Sequence, residues 1–228
     1  MGKIIISEIS EIGKNTSESS DKKSNKGKDG LYGVYVGGEY KFAADAGFLF
    51  DNGIRAGKEF TETDFEELCL LANIRKIYRR GIYLIQTRDY SEKEMIKKLT
   101  FKTDYDENDV LEAVSLLVEK NYINDEKYAN RIVEIYLPKY GYGRVKQELY
   151  KRGINREMTE EILQNSEEEN DEVQKIMNLL LKTMKGLPID DKKTRDRLFN
   201  KFVRQGYGFD DIKKAFRKYN DNEYESDE

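Results

Sequence analysis

The chain has 228 residues, enough to bury one or two cores, with 37% charged and 38% hydrophobic residues and a formal net charge of −4. It contains no histidine and one cysteine, which excludes a zinc site and an internal disulfide framework and removes the commonest general base. Only two prolines occur in the whole chain, so long helices are permitted.

This balance reads as many amphipathic surface elements around modest interiors. Cys69 sits among Phe65, Leu68, Leu70 and Leu71 and reads as a small buried hydrophobe, not a reactive thiol. Lys3 is followed only by Ile4, Ile5 and Ile6 before charges return, so no signal peptide is read, and no apolar run approaches the ~20 residues of a membrane helix. The expectation is a soluble cytoplasmic protein without cofactor. Net charge argues weakly against a dedicated nucleic-acid binder. The acid is concentrated, however, in Glu167, Glu168, Glu169, Asp171 and Glu172 and in Asp221, Glu223, Glu225, Asp227 and Glu228, which leaves local basic faces between them.

In chain order, Ile4 to Ile6 predict a short strand, and the apolar-poor stretch 13–30 a flexible loop. In LYGVYVGGEYKF the residues Tyr32, Val34 and Val36 alternate, Gly37-Gly38 signals a hairpin, and Tyr40 and Phe42 resume the pattern. No GK[ST] follows the glycine pair, so it is no phosphate loop. Phe48, Leu49 and Phe50 form an apolar knot, and Gly53 and Gly57 bracket a turn before Phe60. From Thr61, which with Asp64 resembles a capping box, the chain turns helical. Ile74, Ile77, Tyr78, Gly81, Ile82 and Ile85 make one stripe. Ser91 and Glu94 start a helix carrying Met95 and Leu99. Another follows Asp106, with Val110, Val114, Leu117 and Val118 facing inward.

Tyr122 to Ile154 reads as two helices with a glycine-marked joint. Asn124 and Asp125 cap the first, which lines Tyr128, Ile132, Ile135 and Tyr136 on one face. Pro138, Gly141 and Gly143 stop it, and the second carries Val145 and Leu149 and closes at Gly153, with Ile154 folding back. A helix from Asn155 carries Met158, Ile162 and Leu163. Beyond the acidic run come stripes at Ile176, Leu179, Leu180 and Met184, a turn at Gly186 and Pro188, then Leu198, Phe199, Phe202 and Val203 before Gly206, and finally Ile212, Ala215 and Phe216.

Leu149 to Ile154 lies against Phe202 to Tyr207 at a constant offset, and the same offset carries Ile162 onto Ala215 and Leu163 onto Phe216. Leu99 to Tyr105 is a looser copy, with Thr103 or Asp104 where the glycine belongs. The expected fold is mainly α: three tandem three-helix repeats of roughly 50 residues in an elongated curved array, after a small β-rich extension. The boundaries are 1–60 for the extension, 61–120, 121–166 and 167–219 for the repeats, and 220–228 for an acidic disordered tail.

These residues resemble the RecX family of regulators of the RecA recombinase. LIQTRDYSEKEMIKKL (84–99) is similar to the family's first repeat, NYINDEKYA (121–129) to its acidic cap, aromatic and alanine, and GYGRVKQELYKRGI (141–154) to its glycine, basic and Glu-Leu element. VYVGGEYKF (34–42) and GIRAGKEF (53–60) resemble the β extension of Gram-positive members. The first repeat lacks its glycine, loop 13–30 is long, and the net charge is acidic. The resemblance implies a non-catalytic monomer that binds the RecA filament on single-stranded DNA, suppresses ATPase, strand exchange and co-protease activity, and contacts RecA, DNA or both.

The candidate contact residues are those that the stripes leave outward: Lys139, Tyr140, Tyr142, Arg144, Lys146, Lys151 and Arg152 in the central unit, and Arg195, Arg197, Lys201, Arg204, Lys213, Lys214 and Arg217 in the last. Basic side chains suit acidic protein surface or phosphate, and exposed tyrosines suit an interface or a base stack. A lysine or arginine on an outward helix face is more often merely solvated. The competing reading is a stand-alone DNA-binding helical protein. With no histidine, phosphate loop or paired-carboxylate spacing, the residues point away from an enzyme.

Overall fold

The computed structural model describes residues 2–12, 30–167, 171–185, 187, 189 and 191–225. The expected loop 13–30, apart from Gly30, and the Gly186 and Pro188 turn lie outside them, as do 226–228. The chain divides into two compact units, Met1–Asp89 with Met95–Ile123, and Tyr90–Glu94 with Asn124–Glu228.

The first unit holds an antiparallel sheet of β1 (Lys3–Glu11), β2 (Leu31–Val36), β3 (Glu39–Asp45) and β4 (Glu59–Thr61) in the order β3-β2-β1-β4. Gly37 and Gly38 make the β2–β3 turn at φ 58° and 82°, backbone that suits a two-residue hairpin and that only glycine adopts at little cost. Ile6, Val34, Phe42 and Ala44 point from the sheet onto α1 (Ala46–Asp51) and the first half of α2 (Glu62–Ile85), where Phe48, Leu49, Phe65, Leu68 and Ala72 complete the core. Cys69 packs half-buried against this core, and burial pushes its thiol pKa up.

Asp45 fastens the sheet to both helices. It caps α1 by accepting the Phe48 amide at 3.0 Å, and takes Arg75 from α2 through two bonds of 2.7 and 2.9 Å, with Arg79 at 3.3 Å. The Arg75 bonds hold its carboxyl below the ordinary range. Further along α2, a β-carbon at Gly81 would come within 2.5 Å of Leu117, so the missing side chain lets α4 (Glu107–Glu119) approach closely.

Four apolar residues expected inside are elsewhere. A register shift between Val34 and Tyr35 pairs Tyr40 with Tyr35 on the opposite face, where their rings meet edge-on at 5.8 Å. Phe50 on the short α1 is 85% exposed. Val118 and Ile135 lie at the edges of their stripes and are also exposed.

The chain passes between the units before Tyr90, within α3 (Glu92–Thr100) after Glu94, and again between Ile123 and Asn124. The first turn of α3 is fastened within the second unit: the Glu92 amide bonds Asp125, the Ser91 hydroxyl bonds the Arg152 carbonyl, and Glu94 accepts the Tyr128 hydroxyl. Ser91 and Glu94 cap each other's amides as the sequence suggests. The left-handed residue beyond α3 is Lys102 at φ 55°, not Thr103 or Asp104. Thr103 instead places its hydroxyl on the Leu99 carbonyl.

In the second unit α5 (Asp125–Tyr136), α6 (Tyr142–Lys151) and α7 (Arg156–Glu167) close around Ala129, Ile132, Val145, Leu149, Ile154 and Leu163. The next triplet, α8 (Glu172–Met184), α9 (Lys192–Arg204) and α10 (Phe209–Glu225), closes around Ile176, Leu180, Leu198, Phe202, Tyr207 and Ile212. Residues 220–225, expected in the unstructured tail, are the last turns of α10. The two glycine turns match bond for bond. Ile154 donates to Leu149 and Gly153 to Tyr150, as Tyr207 donates to Phe202 and Gly206 to Val203. The glycines stand at φ 89° and 91°, the left-handed closure of a helix that ends at an apolar contact.

Candidate functional site

The start of α6 is built against the turn between α9 and α10. The Gly141 amide donates to the Gln205 carbonyl at 3.0 Å and the Gly143 amide to the Gly206 carbonyl at 2.9 Å. A β-carbon at Gly141 would stand 2.5 Å from that Gly206 oxygen, so the approach requires glycine. Gly141 is therefore the residue that opens α6, and Gly143 belongs to the helix instead of ending the previous one. Between them the Tyr142 amide donates to Glu172 at 2.6 Å. Burial, aided by the Asp211 carboxylate, holds the Glu172 pKa above its ordinary value against the opposing pull of the Tyr142 and Gly208 amides and Lys175. Lys175, one turn along α8, donates to the Leu137 carbonyl beyond α5 at 2.7 Å.

This joint sets two expected contact segments side by side, one carrying Lys139, Tyr140 and Arg144 and the other Lys201 and Arg204. Lys139, Arg144 and Arg204 are exposed. The Tyr140 ring lies 5.8 Å from that of Tyr136, and the Lys201 ammonium 5.9 Å from the Phe202 ring. The result is a set of cations beside the half-buried Tyr136–Tyr140 pair, suited to an acidic or phosphate-bearing partner.

Three residues expected on that surface do other work. Arg152 turns inward, donating to the Tyr128 hydroxyl at 2.7 Å and to Glu148 at 3.0 Å, with Glu94 at 3.9 Å. Its guanidinium thereby joins α3, α5 and α6. Tyr142 packs on the α5–α7 core and donates its hydroxyl to the Ser166 carbonyl at 3.1 Å. Lys146 is paired with Glu160 across α6 and α7. Lys151 is exposed near the opposite end of α6 from the joint.

In the last triplet, Arg195, Lys213 and Arg217 meet around a 440 Å³ groove between α9 and α10. Arg197 and Lys214 are exposed outside its lining, and Lys214 lies 4.0 Å from Asp211. From the sequence the acidic run 167–172 reads as a linker or a solvated helix start; Glu172 does begin α8, but its role beneath the joint was missed. The one available signal was its place just after the cap Asp171, in the first turn of a helix. Among the described residues no group of three metal-ligating side chains comes together, and no helix is long and apolar enough to cross a membrane.

No family model matches the sequence. The chain is 30% identical over 193 residues to a regulatory protein RecX of Caldanaerobacter subterraneus subsp. tengcongensis, covering 82% of this chain and 93% of that protein. It is 29% identical over 194 residues to a regulatory protein RecX of Clostridium botulinum, covering 81% and 88%. Among solved structures, a crystal structure of regulatory protein RecX matches with a TM-score of 0.65 at 20% identity, over 94% of this chain and 99% of that one. RecX from Lactobacillus salivarius matches with a TM-score of 0.55 at 21% identity, over 64% and 96%. These two likenesses show the fold: mainly helical, with a small antiparallel sheet at the start.

Proposed function

The chain belongs to the RecX family of regulatory proteins, and we propose that it regulates RecA by binding the RecA filament on single-stranded DNA and suppressing its ATPase, strand exchange and co-protease activities. Membership of that family supports the reading, and the glycine-locked joint, which holds Arg144 and Arg204 on adjoining backbone, offers it a contact surface. A regulator without chemistry of its own acts only through differential affinity. It must bind one filament state better than another, and rigid placement of its contacts lets that difference appear in full. Several cations and tyrosines of modest individual worth suffice where the partner offers a repeating surface.

Co-sedimentation tests the reading. With RecA, nucleotide and single-stranded DNA present, the protein is expected to pellet with the filament, and to stay in the supernatant with the DNA alone at 150 mM salt. Salt-sensitive pelleting with naked DNA, unaffected by RecA, would instead assign it to stand-alone DNA binding.

A further inference from the structure

The groove between α9 and α10 has a chemistry separate from that of the joint. Its rim carries Arg195, Lys213 and Arg217 against one carboxylate, Asp196, and its floor is Phe199 and Phe216. This local excess of positive charge stands on a chain of net charge −4. We propose that the groove binds a short acidic segment of a partner protein, with carboxylates on the Arg195–Lys213–Arg217 rim and one apolar side chain on the phenylalanine floor. The inference rests on the reading of this chain as a protein regulator and adds the chemistry of one docking point.

The groove is ordered before any partner arrives. Arg195 donates one guanidinium N–H to the Ile189 carbonyl at 3.3 Å, which orients the remaining donors of its fork. The Ile189 amide in turn donates to the Asn220 side chain at 3.4 Å, fastening Ile189 to α10. The floor is equally fixed. The Phe199 ring stacks on Phe209 with centroids 5.6 Å apart and meets Phe216 edge-on at 6.5 Å. With Arg195 and the floor already held, the rim side chains left to immobilise on binding are Lys213 and Arg217.

Size and charge pattern favour a peptide over a nucleic-acid strand. A volume of 440 Å³ accommodates a few side chains. A strand running onward past the Asn220 end of the groove would carry a phosphate at every nucleotide by Asp221 on α10 and by Asp191 at the start of α9. An acidic segment that places its carboxylates only over the cations avoids those repulsions.

The test is fluorescence anisotropy of the full chain with a labelled peptide in which glutamates flank a phenylalanine, beside a control peptide with glutamine in their place. The glutamate peptide should bind the unmodified protein. Binding should weaken by at least about tenfold for the glutamine peptide and for the double variant K213E/R217E. Both lysine and arginine are exposed and Lys213 makes only a 4.0 Å contact with Asp210, so the variant should keep the parent melting temperature. F199A, which leaves every rim charge in place, should weaken the peptide without changing its salt dependence. Failure of the unmodified protein to bind the peptide, or equal binding by K213E/R217E, would overturn the proposal. So would loss of single-stranded oligonucleotide binding in that variant without any peptide binding, which assigns the groove to nucleic acid. If the protein still suppresses RecA while the peptide result is negative, only the groove is lost and the regulatory reading stands.

Discussion

Gly206 lies so close to Arg144 that a β-carbon on the glycine would collide with the arginine backbone. Gly206 is also left-handed, at φ 91°, so a side chain there is both strained and obstructed. G206A is expected to cost about 1–3 kcal/mol from the backbone conformation alone, before any collision is relieved. In a melt followed by circular dichroism this corresponds to a fall of roughly 2–12 °C. Suppression of RecA should weaken at temperatures where the variant is still folded, because the joint that aligns Arg144 with Arg204 is displaced. An unchanged melt would show that α6 does not depend on this approach.

Arg152 is expected to behave as a structural residue. Its removal in R152A leaves Glu148, 9% exposed, without its 3.0 Å partner and takes the guanidinium from the Tyr128 hydroxyl. Breaking such a half-buried pair from one side costs about 3 kcal/mol. R152K should recover little, since a single ammonium cannot reproduce two donors held in a plane. Chemical denaturation checks both, and a full-stability R152A would return the residue to the list of surface contacts.

The Asp45 cluster gives the first unit a defined pH response. The carboxyl is held below its ordinary value of 3.8, first by the Arg75 bonds. An acid whose pKa falls on folding contributes stability that is fully present well above 3.8 and is lost as the pH drops through the lowered folded value. D45N should therefore lower the urea midpoint at neutral pH, and the gap between variant and parent should close as the pH is taken below 3.8. A gap that persists undiminished at acid pH would mean that packing, and not the ion pairs with Arg75 and Arg79, holds β3 to α2.

What could be read from the sequence was what depends on near neighbours. The Gly37-Gly38 turn, the caps at Thr61, Asp106 and Asn124, and the matched closures at Gly153 and Gly206 are all local backbone chemistry. Periodicity placed Val145, Leu149 and Phe202, all fully buried. It failed at Tyr40, where a shifted register reverses the face, and at Ile135, one position off the buried stripe. The surface was less legible because an outward position on one helix can be an inward position between two. Arg152 meets Tyr128 and Tyr142 meets Ser166 through contacts more than twenty residues apart. In the run of acids around 167–172 only its place after the cap Asp171 marks Glu172, and its role comes from the amide of Tyr142 thirty residues earlier.

The remaining exposed pair carries the functional prediction. In R144E/R204E both reversals are on exposed side chains, so each should change stability by less than about 0.5 kcal/mol. Filament suppression should nevertheless fall by at least about tenfold in the concentration required, since like charges now face an acidic or phosphate surface. Titration of RecA activity with the variant, beside a melt, separates the two effects. Full activity in the variant would move the contact away from the joint.

The most direct measurement is single-stranded-DNA-dependent ATP hydrolysis by the cognate RecA as this protein is titrated in. Suppression is the expected result: well below one molecule per RecA if the protein caps or dismantles filaments, near equal amounts if it coats them. Hydrolysis that continues unchanged at a molar excess would contradict the regulatory reading.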